Sequence, residues 1–266
     1  MDILRFTLSG KQAFFKKPEV NSYYYFTYGN IHKVALLGIF GAILGYGGYT
    51  QMQGFVKDKK QSRLSPGFPE FYEKLQKLRI SILPASDSKN GVIPKKIQTF
   101  NNSVGYASRE QGGNLIVKEQ WLEYPKWEIC LLVDSDEAKK IKEAIVQKKC
   151  VYYPYLGKND HPADIYDVRT LEAKIAASER GRLHCLALKE EIAIAEPDFD
   201  DFDDEDNADG ENADGCGSFR YEEALPCGMD EWTNHYLMKT FVFTDALLET
   251  DADVFLLEDG KRILFY

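Results

Sequence analysis

Apolar and polar positions change period several times along the chain, and each change predicts an element. Leu36, Leu37, Phe40, Ile43 and Leu44 recur at helical spacing, with Gly38, Gly41, Ala42 and Gly45 as a second stripe of small residues beside them. One helix from Lys33 to Leu44 is predicted, and the rest of the chain is organised around it. An interior glycine costs a helix about 1 kcal/mol relative to alanine, so two of them imply that another element approaches the backbone closely. That element is expected to be a sheet face. Past Gly45 the run Tyr46-Gly47-Gly48-Tyr49 cannot continue the helix. Its backbone N–H groups, flanked by two aromatic rings, suit a phosphate or an unstacked base. The other reading of the same residues is a buried helix closed by a tight turn.

This apolar run is too short for a membrane span, which needs roughly twenty residues. The glycines follow a helix rather than a strand and form neither a Gly-x-Gly-x-x-Gly nor a Walker pattern, which argues against a nucleotide fold.

Elsewhere the period is mostly two. Residues 2–9 read as a strand placed mid-sheet, and residues 22–28 as a β-prone run with five aromatics, too many for one buried face. Residues 68–83 start as an amphipathic helix with Phe71, Leu75 and Leu78 on one side, then pass into a strand at Ile80. Residues 93–100 and 114–122 read as two strands bracketing a long polar tip. Residues 127–133 form a further strand, and Ser135 caps a helix whose inner face is Ala138, Ile141, Ala144 and Ile145. Short strands and turns fill residues 163–194, and residues 241–244, 254–257 and 263–266 are closing strands. The fold class is therefore α+β. Strand, helix, strands, strand, helix is the order of a ferredoxin-like or RNA-recognition-motif core. The glycine-and-aromatic consensus of an RNA-recognition motif is absent, so base stacking on an open sheet is not supported. The expected organisation is a core over residues 1–195 with a hairpin near residues 95–118, an acidic disordered insertion at 196–217, and a small β region at 218–266.

Charge alters this picture in one respect. Net charge is −9, yet residues 1–150 carry 23 Lys and Arg against 14 Asp and Glu, while the remainder is strongly acidic. Residues 196–215 alone hold 11 carboxylates and no basic residue, a low-complexity tract that cannot bury enough surface to fold. A basic half with a separable acidic loop is compatible with nucleic-acid binding. Five scattered cysteines without a Cys-x-x-Cys spacing argue against a disulfide framework and a zinc site. The opening residues lack the basic start and apolar run of a signal peptide, so a cytoplasmic location is expected.

Lysines beside aromatic rings suit a backbone phosphate and a stacked base. Phe14-Phe15-Lys16-Lys17-Pro18 has that character, and Tyr155-Leu156-Gly157-Lys158-Asn159 is a Gly-Lys-Asn turn next to aromatics. Each also reads as an ordinary solvated turn.

Taken together, Phe15-Lys16-Lys17-Pro18-Glu19 with Asn21 after a first strand, then the helix ending at Gly45, resembles the N-terminal signature of the CRISPR-associated Cas-five family. The likeness continues through Asn102-Ser103-Val104-Gly105-Tyr106, through Tyr155-Leu156-Gly157-Lys158-Asn159 with Pro162-Ala163, and into Phe265-Tyr266. It is most similar to the type I-B (Hmari) branch. The resemblance implies a ferredoxin-like RAMP core with a projecting hairpin thumb, in a Cascade subunit that holds the 5′ handle of the CRISPR RNA. It implies as partners the CRISPR RNA, the Cas-seven type backbone subunit, the Cas-eight type large subunit and, through the complex, target DNA. No membrane and no cofactor are implied. Carried onto this chain, the RNA-contacting residues would be Lys16, Lys17, Asn21, Lys33, Tyr46, Gly47, Gly48, Lys158 and Asn159. Lys95, Lys96, Asn101, Asn102 and Arg109 on the thumb would contact phosphates and the neighbouring subunit.

The rival reading is an enzyme. The type I-C branch of the same family matures CRISPR RNA without metal, using a tyrosine after the Ala-Ile of the central helix and an adjacent lysine and histidine. Leu44 stands at that position, and leucine neither donates nor accepts a proton. His32-Lys33 is the one acid–base pair near the expected site, with Tyr46 as a further candidate, although phosphate binding at a helix N-terminus suits it better. No histidine has a partner at metal-ligand spacing, so no catalytic and no metal residue is assigned. A free-standing interaction module built on the acidic tract is the third class.

Overall fold

The computed structural model describes residues 1–19, 23–52, 67–85, 90–101, 105, 109, 111, 115–195 and 219–266. In chain order its elements are β1 (Asp2–Ser9), β2 (Gln12–Ala13), β3 (Tyr24–Tyr25), α1 (Lys33–Leu44), α2 (Glu70–Leu75), β4 (Ile80–Pro84), β5 (Lys95–Asn101), β6 (Ile116–Glu123), β7 (Lys126–Leu132), α3 (Asp136–Val146) and β8 (Asp164–Glu172). Then come β9 (Lys174–Ile175), β10 (Arg180–Gly181), β11 (Ala187–Leu188), β12 (Ala193–Ile194), β13 (Arg220–Met229), β14 (Tyr236–Thr244), β15 (Leu248–Glu249), β16 (Phe255–Leu256) and β17 (Arg262–Ile263). The predicted acidic tract and the residues of the hairpin tip other than 101, 105, 109 and 111 lie outside the described residues, as does Asn21; Asn102 is among those of the tip.

A central sheet has the order β4-β7-β1-β8, antiparallel throughout. Helix α1 lies between β1 and β4, and α3 between β7 and β8. This is the β-α-β-β-α-β arrangement of a ferredoxin-like core, with the β5–β6 hairpin inserted between β4 and β7. The fold is α+β.

Period-2 alternation explains why the sheet is covered on both sides. On β1, Leu4, Phe6 and Leu8 join the main core with α1, while Ile3 points to a second core with Cys130, Leu132 and the C-terminal strand residues Leu248, Phe255 and Ile263. Arg5 shares that second face and bridges Glu128 and Asp259, tying the C-terminal region to β1 and β7. The long β13–β14 hairpin reaches the opposite side, where Leu225, Met229 and Phe241 enter the main core.

The central helix has its predicted bounds. Ser135 likewise caps α3 as predicted, its hydroxyl accepting the Ala138 N–H at 3.3 Å. Two expectations are corrected. Among the described residues of the aromatic run at 22–28, the named strand is the two-residue β3, with Tyr24 opposite Lys118 of β6, and Thr27 makes an isolated bridge to Lys16. The element that approaches the interior glycine of α1 is α2, not a sheet: a Cβ on Gly41 would lie 2.5 Å from the Cβ of Phe71, whereas one on Gly38 would meet nothing within 4 Å.

These two glycines therefore respond oppositely to alanine. Gly41→Ala is expected to destabilise by about 1–3 kcal/mol through overpacking against α2. Gly38→Ala is expected to stabilise by about 0.5–1 kcal/mol, since it only restricts the unfolded chain. Paired thermal melts check both signs.

Candidate nucleic-acid interface

Residues 15–17 pair with residues 26–28 through Lys17 N–H to the Phe26 carbonyl at 2.8 Å and Tyr28 N–H to the Phe15 carbonyl at 2.9 Å. This short ladder sets cations over rings. The Lys16 ammonium stands 4.1 Å above the Tyr25 ring, and that of Lys17 lies 5.1 Å from the Tyr28 ring. Lys17 also pairs with Glu223 of β13 at 3.1 Å. Glu223 is heavily committed, since it accepts the Gly29 N–H at 2.8 Å and the Tyr221 hydroxyl. Lys95, the first residue of β5, feels the same carboxylate. Burial pushes its pKa down, Lys17 adds to that, and Glu223 opposes it. Lys17 and Lys95 thus both feel the Glu223 carboxylate, and Glu19 adds a second carboxylate near the Tyr28 ring.

Other expected contacts are engaged within the chain. The Tyr46 hydroxyl donates to Glu137, and the Lys74 ammonium stands 4.2 Å from the Tyr46 ring. Burial, and then the Glu137 carboxylate, raises the Tyr46 pKa. The Gly47 N–H donates to Glu70 at 2.7 Å and the Gly48 N–H to Gln51 at 3.0 Å. The anion seat expected after α1 is therefore filled by the chain's own acceptors. The loop itself is a helix C-cap: Gly45 has φ 78°, its N–H reaches the Ala42 carbonyl at 3.3 Å, and the Tyr46 N–H reaches that of Gly41 at 2.9 Å.

Lys158 is similarly held. It pairs with Glu119 at 2.9 Å and lies 5.8, 5.1 and 5.3 Å from the rings of Phe14, Phe100 and Trp121. Trp121 also meets His161 edge-on at 4.6 Å, and both nitrogens of that buried imidazole lack a hydrogen-bond partner among the described residues. This cluster fastens the turn at residues 155–162 to the β5–β6 hairpin. Lys96 pairs with Glu123 at 3.6 Å, and Asn101, Arg109 and Asn159 are exposed.

The start of α1 is a closed structure. His32 is the N-cap, its Nδ1 accepting the Ala35 N–H at 3.2 Å. Its ring sits edge-on to Phe15, Tyr28 and Tyr236 at 5.9, 5.3 and 5.5 Å. Burial drives the imidazole pKa down to about 3, so it stays neutral at neutral pH. Burial also lowers the pKa of Lys33, opposed by the Cys227 thiol of β13. Of the His32-Lys33 pair, the imidazole nitrogen that would take a proton is engaged in capping the helix.

The parts absent from the sequence reading are Glu223 and the role of Trp121. Glu223 lies about two hundred residues from Lys17 along the chain, and no local pattern marks that pairing.

No family model matches the chain, and no curated protein matches its sequence. Among solved structures it is similar to a chain described as a CRISPR RNA-guided surveillance complex, with 13% identity and TM-score 0.49, covering 92% of this chain and 90% of that one. It is also similar to a CRISPR protein from Archaeoglobus fulgidus, with 11% identity and TM-score 0.49, covering 99% and 98%. A third is a chain of the type III-B Cmr-beta complex bound to cognate target RNA and AMPPnP, with 12% identity and TM-score 0.47, covering 94% and 86%. At such identities these similarities assign no activity.

Proposed function

We propose that this chain is an RNA-binding, non-catalytic subunit of a type I-B-like CRISPR effector complex, holding the 5′ handle of the CRISPR RNA. One observation carries the reading: the Lys16 ammonium stands over the half-buried Tyr25 ring beside exposed Phe26, while Lys17, packed on the buried Tyr28, pairs with Glu223, whose charge Lys95 at the start of β5 also feels. Cations for phosphates next to rings for unstacked bases are what single-stranded RNA requires. The resemblance of residues 15–19 and of the following helix to the Cas-five signature supplies the subunit role and the partners. Leu44 and the buried neutral His32 support the non-catalytic reading.

The test is direct. The full chain is titrated with a 5′-labelled CRISPR repeat RNA and with its matured handle, in EDTA, followed on native and denaturing gels. Binding with the repeat intact is expected. Lys16→Glu combined with Lys95→Glu should weaken it at least about tenfold and flatten the salt dependence by about 0.7 in log–log slope for each phosphate no longer neutralised. Unchanged affinity in that variant removes the proposed site, and cleavage at one position makes the chain a nuclease.

A further inference from the structure

We propose a second, separate surface for single-stranded RNA at residues 148–155, in which exposed tyrosines stack on unpaired bases. It takes its ligand class from the RNA-binding reading, but it uses none of the residues of that site.

The segment leaves α3 and runs past the end of α1. Tyr153 is 90% exposed and Tyr152 61%, and Val151 and Tyr155 are exposed beside them. Three exposed rings within four residues confer little on the fold, because their apolar faces stay in water. The backbone beneath them is nevertheless firmly held. Val151 N–H reaches the Ile43 carbonyl at 3.0 Å and Tyr152 N–H the Ala42 carbonyl at 3.1 Å, so the segment satisfies carbonyls in the last turn of α1. The Ala163 N–H reaches the Pro154 carbonyl at 3.1 Å, and the Leu156 N–H reaches the His161 carbonyl at 2.8 Å. Pro154 further restricts Tyr153 to extended backbone. Rings presented on a fixed backbone lose little conformational entropy when a ligand covers them.

Charge decides the partner. Lys148 and Lys149 are exposed and form no ion pair among the described residues. By contrast Lys139, Lys140 and Lys142 of α3 are paired with Asp136, Glu137 and Asp2. No carboxylate occurs in the sequence between Glu143 and Asp160. Lysine is depleted in protein–protein interfaces, whereas unpaired cations interleaved with aromatic rings match a phosphate backbone with splayed bases. The segment meets the second requirement.

The experiment uses the full chain and two fluorescein-labelled RNAs, a mixed-sequence single strand and the CRISPR repeat, read by anisotropy across a KCl series. The triple variant Tyr152→Ala, Tyr153→Ala, Tyr155→Ala is expected to bind at least about tenfold more weakly with the salt slope unchanged, since stacking carries no counterions. Lys148→Ala with Lys149→Ala should instead reduce the slope by about 1.4, two phosphates at about 0.7 each. RNA carrying 4-thiouridine should crosslink to the peptide containing Tyr153. All five side chains are solvent-facing, so the variants should melt like the parent. If the tyrosine variant binds as the parent does while the Lys16→Glu, Lys95→Glu variant does not, this proposal fails and the handle site stands. The reverse result leaves this surface and removes the handle site. Absence of RNA binding by the parent chain overturns both, and 4-thiouridine RNA that binds but does not crosslink to the peptide containing Tyr153 overturns this one.

Discussion

Gly157→Ala is expected to be among the most damaging single substitutions in the chain, lowering stability by about 4 kcal/mol or more. The residue has φ 86°, a conformation that an L side chain adopts only under strain. The larger effect is steric. A Cβ there would stand 1.9 Å from the Phe14 carbonyl oxygen and 2.7 Å from its carbonyl carbon. Both are backbone atoms, so no rotamer change relieves the clash. Residue 14 cannot retreat, because its N–H donates to the Leu156 carbonyl at 3.0 Å and Leu156 is fully buried. Pushing the turn away would also withdraw Lys158 from Glu119 and from the rings of Phe14, Phe100 and Trp121. For a chain of this size the melting temperature should fall by about 10 °C, at roughly 2–4 °C per kcal/mol. Gly260→Ala is the control: its φ is 82°, but its Cβ would meet nothing within 4 Å, so only backbone strain of about 1–2 kcal/mol applies. Equal melting of the two variants would show that the turn does not approach Phe14 so closely.

The second large effect depends on pH. In the unfolded chain His32 has its ordinary pKa of 6.5, and burial in the fold drives it to about 3. The proton therefore favours the unfolded state. Stability from this residue is complete above pH 6.5 and is lost as pH falls from 6.5 towards 3, at up to about 1.4 kcal/mol per pH unit. At about pH 4.5 the loss approaches about 3 kcal/mol. The ring is surrounded by Phe15, Tyr28 and Tyr236, so no carboxylate among its ring contacts offsets the charge. His32→Asn keeps a capping oxygen but removes the titration. Its stability should be lower than the parent's at about pH 7.5, because the smaller side chain leaves a gap, and should fall less on acidification to about pH 4.5. His161 and His184, whose pKa values are also lowered by burial, act in both proteins alike, so the difference between the curves isolates His32. Parallel curves would mean that the imidazole is already charged or exposed.

What the sequence alone determined was the set of elements whose causes are local. The bounds of α1 follow from apolar spacing and from Gly45, which adopts the left-handed cap without a Cβ penalty. The start of α3 follows from Ser135, and β1 and β7 from their short apolar runs. Each of these signals lies within a dozen residues. The order of those elements also implied the ferredoxin-like sheet, because few connections satisfy two helices packed on one four-stranded face. The lysine-rich stretch at Lys16-Lys17 was visible for the same reason, as a local coincidence of cations and rings. Tertiary structure decided which of the candidate side chains have work inside the fold. Lys158, Tyr46 and Gly47 look available in sequence, yet Glu119, Glu137 and Glu70 reach them from 39, 91 and 23 residues away. The same holds for the two helical glycines, which differ only because Phe71 of α2 packs over one of them. Hydrogen bonds, ion pairs and steric contacts act over a few ångströms whatever the separation along the chain, so their partners are set by the folded topology and leave no periodic trace in the sequence.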